Sequence, residues 1–285
     1  MQAFSKINLF LEVMEKRADG YHNLRSVMQS LQLCDVITIR GTDAPAAPLL
    51  TVTCTHPNLP TNEQNLVTKA AKYMMDAYNI LKSIKIHIEK NIPVAAGLGG
   101  GSSDCAATIT GFNALFNLGL TVAKMQEIGL RFGADVPFCI TGGTALAEGI
   151  GEILTPLPPH PDNWVVLACL PVSVSTQNVF AQFKPGEVQG DIKKIMAALQ
   201  KENILEIATN FFNNLMPITT REHPKIKSII QLMKEQGAIN AVMSGSGPSV
   251  FGYFTEKNAA EAVVYLLKEK MKQVYLTKPE RMKML

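Results

Sequence analysis

At 285 residues the chain is long enough for one large or two modest domains with ample core. Hydrophobic residues make up 47% and charged residues 18%, which excludes a disordered chain. A formal charge of +3, evenly spread, excludes a dedicated nucleic-acid binder and an electrostatic grip on an anionic membrane.

Residues 5–13 alternate. Ile7, Leu9, Leu11 and Val13 fall on one face and Lys6, Asn8, Phe10 and Glu12 on the other, a strand with one packed face. Lys6 and Asn8 therefore project together. A turn over 16–22 carries Tyr21 and His22. Residues 26–33, 36–40 and 49–54 read as further strands, with a loop over 41–48. Residues 65–78 place Leu66, Ala70, Tyr73, Met74 and Ala77 at helical spacing. A strand over 84–89 leads into Pro93, Val94, Ala95, Ala96, Gly97, Leu98, Gly99, Gly100, Gly101, Ser102 and Ser103. Helices follow over 105–118, stopped by Gly119, and over 122–132. Gly133, Ala134, Asp135, Val136 and Pro137 come next, then a hairpin over 144–154 with Gly149 and Gly151 near its turn.

The segment 156–161 has four prolines in six residues and marks the boundary between domains, taken as 1–156 and 157–285. Beyond it lie a buried strand over 164–170 and an ambiguous stretch over 172–183. Helices are expected over 191–200, 204–213 and 224–235. Strands over 238–243 and 250–254 flank Ser244, Gly245, Ser246, Gly247, Pro248 and Ser249. Asn258 caps a last helix running to about residue 272, and 274–276 closes a sheet. The basic cluster over 268–283 is interrupted by Glu269 and Glu280 and reads as a solvated face. Strands first and helices mixed with strands later give an α+β fold in two lobes.

Five cysteines lie far apart with no Cys-x-x-Cys, so neither a disulfide framework nor a zinc site is expected and the protein reads as cytoplasmic. The first residues, interrupted by Lys6, Asn8 and Glu12, lack the apolar run of a signal peptide. The uncharged runs 105–123 and 163–183 carry hydroxyls, amides and Pro171, and fit buried core rather than lipid.

The stretch 97–101 holds four glycines in five positions, ahead of a helix. Glycines let successive N–H groups turn toward one point, and a helix start adds unpaired donors and partial positive charge, so the stretch suits a phosphate. No lysine occurs between Lys90 and Lys124, which excludes a Walker A loop; counted from Gly97, the sixth residue is Ser102, which excludes the dinucleotide fingerprint. A tight turn between core elements is the plainer alternative. Likewise Lys6 alone fits a solvated strand lysine, Asp135 a turn cap before Pro137, and 244–249 a hairpin link.

Taken together, the strand bearing Lys6, the loop Pro93-x-x-x-Gly97-Leu98-Gly99 with Ser102-Ser103, and Ser244-Gly245-Ser246-Gly247-Pro248-Ser249 resemble the GHMP kinase superfamily over nearly the whole chain. The resemblance implies a two-lobed fold with its site in the cleft between lobes. It implies ATP and Mg²⁺ as cofactors, with 93–103 around the phosphates. Ser102 or Ser103 is a possible metal ligand. Asp135 is implied as general base and Lys6 as its charge partner beside the acceptor hydroxyl.

Within the superfamily, Arg17-Ala18-Asp19-Gly20-Tyr21-His22 resembles the branch whose substrate is a cytidine-diphosphate-linked methylerythritol. That implies Tyr21 stacked on the pyrimidine, His22 bonded to its polar edge, and Phe180 as the opposing aromatic, unless Phe180 is ordinary core. Asn8 would contact the acceptor's hydroxyls or orient Lys6. Asn65 lies where the family places its adenine pocket. Ala95-Ala96 and Asp104 depart from the family's usual glycines and asparagine. A kinase of the mevalonate or homoserine type, or a non-catalytic sugar- or nucleotide-binding relative, is the alternative. The expected partner is a small molecule, not nucleic acid or membrane, with the chain a monomer or homodimer.

Overall fold

The first two strands are longer than their alternation suggests. In a computed structural model, which describes residues 1–42, 49–186 and 189–281, β1 (Gln2–Lys16) and β2 (His22–Thr42) run antiparallel from Gln2 opposite Val36 to Lys16 opposite His22. The breaks expected within 22–42 are absorbed as register shifts, so one strand stands where two were expected. Of the expected 41–48 loop, residues 43–48 lie outside those described, as do 187–188 and the end of the basic cluster, 282–285.

One shift, between Asn8 and Phe10, corrects the expected single apolar face. Ile7, Leu9 and Phe10 enter the core between the lobes, whereas Leu11 and Val13 pack with Val179, Leu215 and Ile218. Both faces of β1 are covered, so Lys6, Asn8 and Glu12 are buried rather than solvated.

β3 (Leu50–Cys54) lies parallel to β4 (Ser83–Glu89), the two joined through α1 (Leu66–Ala77). Ile84, Ile86 and Ile88 of β4 face inward toward Val67, Ala70 and Met74 of α1. They also meet Cys105, Ile109 and Phe112 of α2 (Gly100–Leu115). α3 (Val122–Leu130), capped by Thr121, and α4 (Val136–Thr141) follow. The hairpin of β5 (Thr144–Glu148) and β6 (Ile153–Pro156) returns to β2.

The second sheet is antiparallel, in the order β11 (Val274–Thr277), β7 (Trp164–Cys169), β10 (Ser249–Phe254), β9 (Asn240–Met243). Between β7 and β9 come α5 (Thr176–Gln182), α6 (Ile192–Gln200), α7 (Ile204–Thr209), β8 (Phe212–Asn213), α8 (Met216–Glu222) and α9 (Lys225–Glu235); α10 (Lys257–Lys268) precedes β11. The stretch expected to be helical over 204–213 therefore ends early. Its last residues, β8, pair parallel with Phe10 and Leu11 of β1 and so cross from the second lobe into the first sheet. α10 starts behind Glu256 rather than being capped by Asn258. A core of Ile7, Phe10, Leu31, Val165, Leu167, Phe251 and Tyr253 fills the space between the sheets.

Candidate active site

The glycine stretch runs from a loop into α2, which begins earlier than expected. Gly100 and Gly101 are already helical, and Gly99 holds the cap position at φ 70°, with no side chain bonding the helix start. The first N–H groups of α2 are left to an outside acceptor, with the helix dipole behind them. Gly97 and Gly99 each answer a close approach. A Cβ on Gly99 would lie 2.8 Å from Lys6 Cγ, and one on Gly97 would lie 2.8 Å from the Gly247 carbonyl oxygen. Lys6, the glycine stretch and the 244–249 loop are thus packed against one another. The Ser249 hydroxyl donates to the Ala96 carbonyl and the Lys6 N–H to that of Leu98, at 2.9 Å.

The two adjacent serines point differently. Ser103 is buried, its hydroxyl donates to the Phe4 carbonyl and its N–H to that of Gly99, so it serves the fold and has no donor to offer a ligand. Ser102 faces the Asp135 segment: a Cβ on Gly133 would lie 3.8 Å from Ser102 Oγ.

The Lys6 ammonium lies 3.4 Å from Asp135 Oδ2 and donates to Asn8 Oδ1 at 3.0 Å. The Asn8 amide donates to Ser26 Oγ at 2.8 Å, and Ser26 donates to the Phe10 carbonyl. This chain fixes the amine from below. Asp135 occupies the cap position of α4, yet its side chain makes no capping bond, so the turn-cap reading of this carboxylate does not hold. With 38% of its side chain exposed against 8% for Lys6, the carboxylate is the member of the pair open to a reactant.

Further along the β1–β2 ribbon, where Lys16 pairs His22, the His22 ring lies 5.6 Å from Phe180 and 6.0 Å from Phe183, a second aromatic that the sequence does not single out. Burial, with Lys16 nearby, pushes the His22 pKa down, favouring a neutral ring. Tyr21 is 61% exposed, held by its N–H to Asp19 Oδ1. Thr176 of α5 meets Ser246 at 2.8 Å, tying the aromatic group to the 244–249 loop. Ser26, Phe183 and Thr176 carry no local sequence signal; only the fold brings them here.

Two further residues singled out in the sequence have structural partners. Asn65 is spent as the α1 cap: its Oδ1 accepts from the Val67 N–H and its amide donates to the Pro60 carbonyl. Asp104 turns away from the loop opening and, with Asp35, grips the buried Lys90 ammonium. Among the described residues no three His, Cys, Asp or Glu side chains gather as a metal site.

Comparison with known proteins finds relatives over nearly the whole chain. Residues 65–143 match the model for the GHMP kinases N terminal domain, and 195–273 that for GHMP kinases C terminal. A 4-diphosphocytidyl-2-C-methyl-D-erythritol kinase of Lachnoclostridium phytofermentans is 42% identical over 98% of this chain and 96% of its own. One of Clostridium perfringens is 40% identical over 98% and 97%. A crystal structure of 4-(cytidine 5'-diphospho)-2C-methyl-D-erythritol kinase superposes with a TM-score of 0.83 at 27% identity, covering 98% of each chain. The R-mevalonate complex of L. major mevalonate kinase gives 0.76 at 18% identity, covering 99% of this chain and 96% of its own, a likeness of fold alone.

Proposed function

The chain belongs to the GHMP kinase family, and from that premise we propose that it transfers the γ-phosphoryl group of ATP to a hydroxyl of 4-diphosphocytidyl-2-C-methyl-D-erythritol, a step of the non-mevalonate isoprenoid route. The observation that carries this reading is the Lys6–Asp135 pair, set against Gly99 at the open start of α2. The lobes divide at the proline-rich segment 156–161, with the site where they meet.

In this mechanism the N–H groups of Gly100, Gly101 and Ser102 hold phosphate oxygens, and the left-handed turns at Gly97 and Gly99 aim them. The Asp135 carboxylate takes the proton of the acceptor hydroxyl as the new P–O bond forms. The Lys6 ammonium, steadied by Asn8, stabilises the negative charge developing on that oxygen. Mg²⁺, carried with the nucleotide, would neutralise phosphate charge, and Ser102, turned toward the Asp135 segment, would be the hydroxyl to hold it. Tyr21, His22 and Phe180, joined by Phe183, hold the cytosine. A neutral imidazole can present both a donor and an acceptor to a base edge.

Kinases of the mevalonate and homoserine types share the fold; the Arg17–His22 stretch and its aromatic partners separate this chain from them. Five unpaired cysteines fit a reducing cytoplasm. Among the described residues no helix is long and apolar enough to cross a membrane. ADP release with 4-diphosphocytidyl-2-C-methyl-D-erythritol, mevalonate and homoserine, assayed in parallel, tests the proposal. Turnover of the first alone is expected, and turnover of either of the others in its place overturns it.

A further inference from the structure

The loop over 244–249 packs against Lys6 and Asn8, and its own Ser249 hydroxyl ties it to the Ala96 carbonyl. A Cβ on Gly245 would lie 3.6 Å from Asn8 Oδ1, 3.6 Å from the Gly97 carbonyl oxygen and 4.0 Å from the Lys6 amine. What fixes this loop therefore bears on where that amine sits.

Two buried side chains from neighbouring elements hold it. The Asn213 amide donates to the carbonyls of both Met243 and Gly245, each at 2.8 Å, while its Oδ1 accepts from the Leu215 N–H at 2.9 Å. The Thr219 hydroxyl donates to the Ser246 carbonyl at 3.0 Å. Asn213 lies on β8, opposite Leu11 of β1. One residue therefore ties the strand that carries Lys6 and Asn8 to the loop that leans on them.

We propose that Asn213, seconded by Thr219, is a positioning residue for catalysis: it fixes the 244–249 loop against Lys6 and Asn8 and so holds the amine at the distance from Asp135 that phosphoryl transfer needs. This rests on the kinase reading above. A shift of an ångström in a positioned group costs catalysis far more than it costs folding. Replacing the two donated bonds with a carboxylate facing two carbonyls would release the loop.

The next residue supplies the control. Asn214 is also buried and makes a similar pair of bonds, donating to the Val13 carbonyl and accepting from the Val13 N–H, both at 2.9 Å. Its side-chain bonds go to β1 and not to the 244–249 loop. Asn213→Asp removes two donated bonds and Asn214→Asp one, and only the first should reach the site.

The experiment compares Asn213→Asp, Thr219→Val and Asn214→Asp with the wild type by two readouts. One is amide hydrogen exchange of 244–249, which needs no substrate; the other is kcat and KM with ATP and 4-diphosphocytidyl-2-C-methyl-D-erythritol. Exchange in that loop is expected to rise about tenfold or more in Asn213→Asp and in Thr219→Val but not in Asn214→Asp. Over the same set, kcat should fall about tenfold in Asn213→Asp, by less in Thr219→Val, and stay within about twofold in Asn214→Asp. Equal kcat losses in Asn213→Asp and Asn214→Asp, or loop exchange unchanged in Asn213→Asp, overturn the proposal. Should Asn213→Asp not fold, Thr219→Val decides by the same two readouts. Wild-type protein that leaves this alcohol unphosphorylated defeats the kinase reading instead, and the exchange data still judge the hold on the loop.

Discussion

Lys6 lies where it does because Gly99 has no side chain: a Cβ there would fall 2.8 Å from Lys6 Cγ, on a backbone already at φ 70°. Gly99→Ala carries two penalties, a left-handed turn costing about 1–2 kcal/mol and a displaced Lys6 amine. Gly119, at φ 66° with nothing within 4 Å, carries the first alone. Steady-state kinetics and thermal melts of both alanine variants should show a similar lowering of Tm, with kcat falling about tenfold or more only in Gly99→Ala.

In the proposed reading the clustered His22, Phe180 and Phe183 rings hold the nucleoside. Phe180→Leu keeps an apolar side chain but loses an aromatic contact worth about 0.5–1.5 kcal/mol. The KM for the cytidine substrate is expected to rise roughly threefold to tenfold, with the KM for ATP unchanged. Equal rises in both would mean that the ring serves the fold and not the base.

Beneath the start of α2, one buried ammonium, Lys90, serves two buried carboxylates, Asp35 and Asp104. Lys90→Met leaves both without a counter-charge and should cost about 3–5 kcal/mol, read from denaturant unfolding. Burial, opposed by Lys90, pushes Asp104 up to about 7, and its Oδ1 has no partner. The folded state therefore keeps a proton that the unfolded chain has lost, and stability falls as pH climbs from the usual carboxylate range toward 7. Asp104→Asn removes that loss, so its Tm advantage over wild type should be larger at pH 8 than at pH 5.

His160 titrates in the opposite sense. Burial pushes it down to about 4, with its Nδ1 on the Pro161 carbonyl at 2.7 Å and its ring edge-on to Tyr253. The unfolded chain takes up a proton near 6.5 that the folded one refuses, so this histidine's contribution is intact above that pH and is lost as pH falls toward 4. The difference in stability between wild type and His160→Gln should shrink over that interval; a constant difference would place the imidazole in contact with water.

Much of this site was legible in the sequence because its parts are local. The glycine stretch, the alternation around Lys6 and the Asp135 segment each carry their own signature, and family resemblance joined them. What stayed hidden depends on distant partners. Gly100 and Gly101 are poor helix formers, yet they begin α2 because the packed residues from Ser103 to Phe112 anchor the turns that follow. β8 read as the end of a helix because only the free edge of β1 makes Phe212 and Asn213 a strand. α8, with Pro217 and two threonines, has weak helix propensity and is held by burial of Ile218, Thr219 and Thr220. The bulge between Asn8 and Phe10, which redirects half of β1, has no sequence mark at all.

The central claim is that Asp135 receives the proton of the acceptor hydroxyl. Its most direct test is single-turnover phosphorylation of 4-diphosphocytidyl-2-C-methyl-D-erythritol by Asp135→Asn, with ATP affinity measured on the same preparation. The account predicts a chemical step slowed about 10²–10⁴-fold with ATP binding intact. A rate equal to wild type would contradict it.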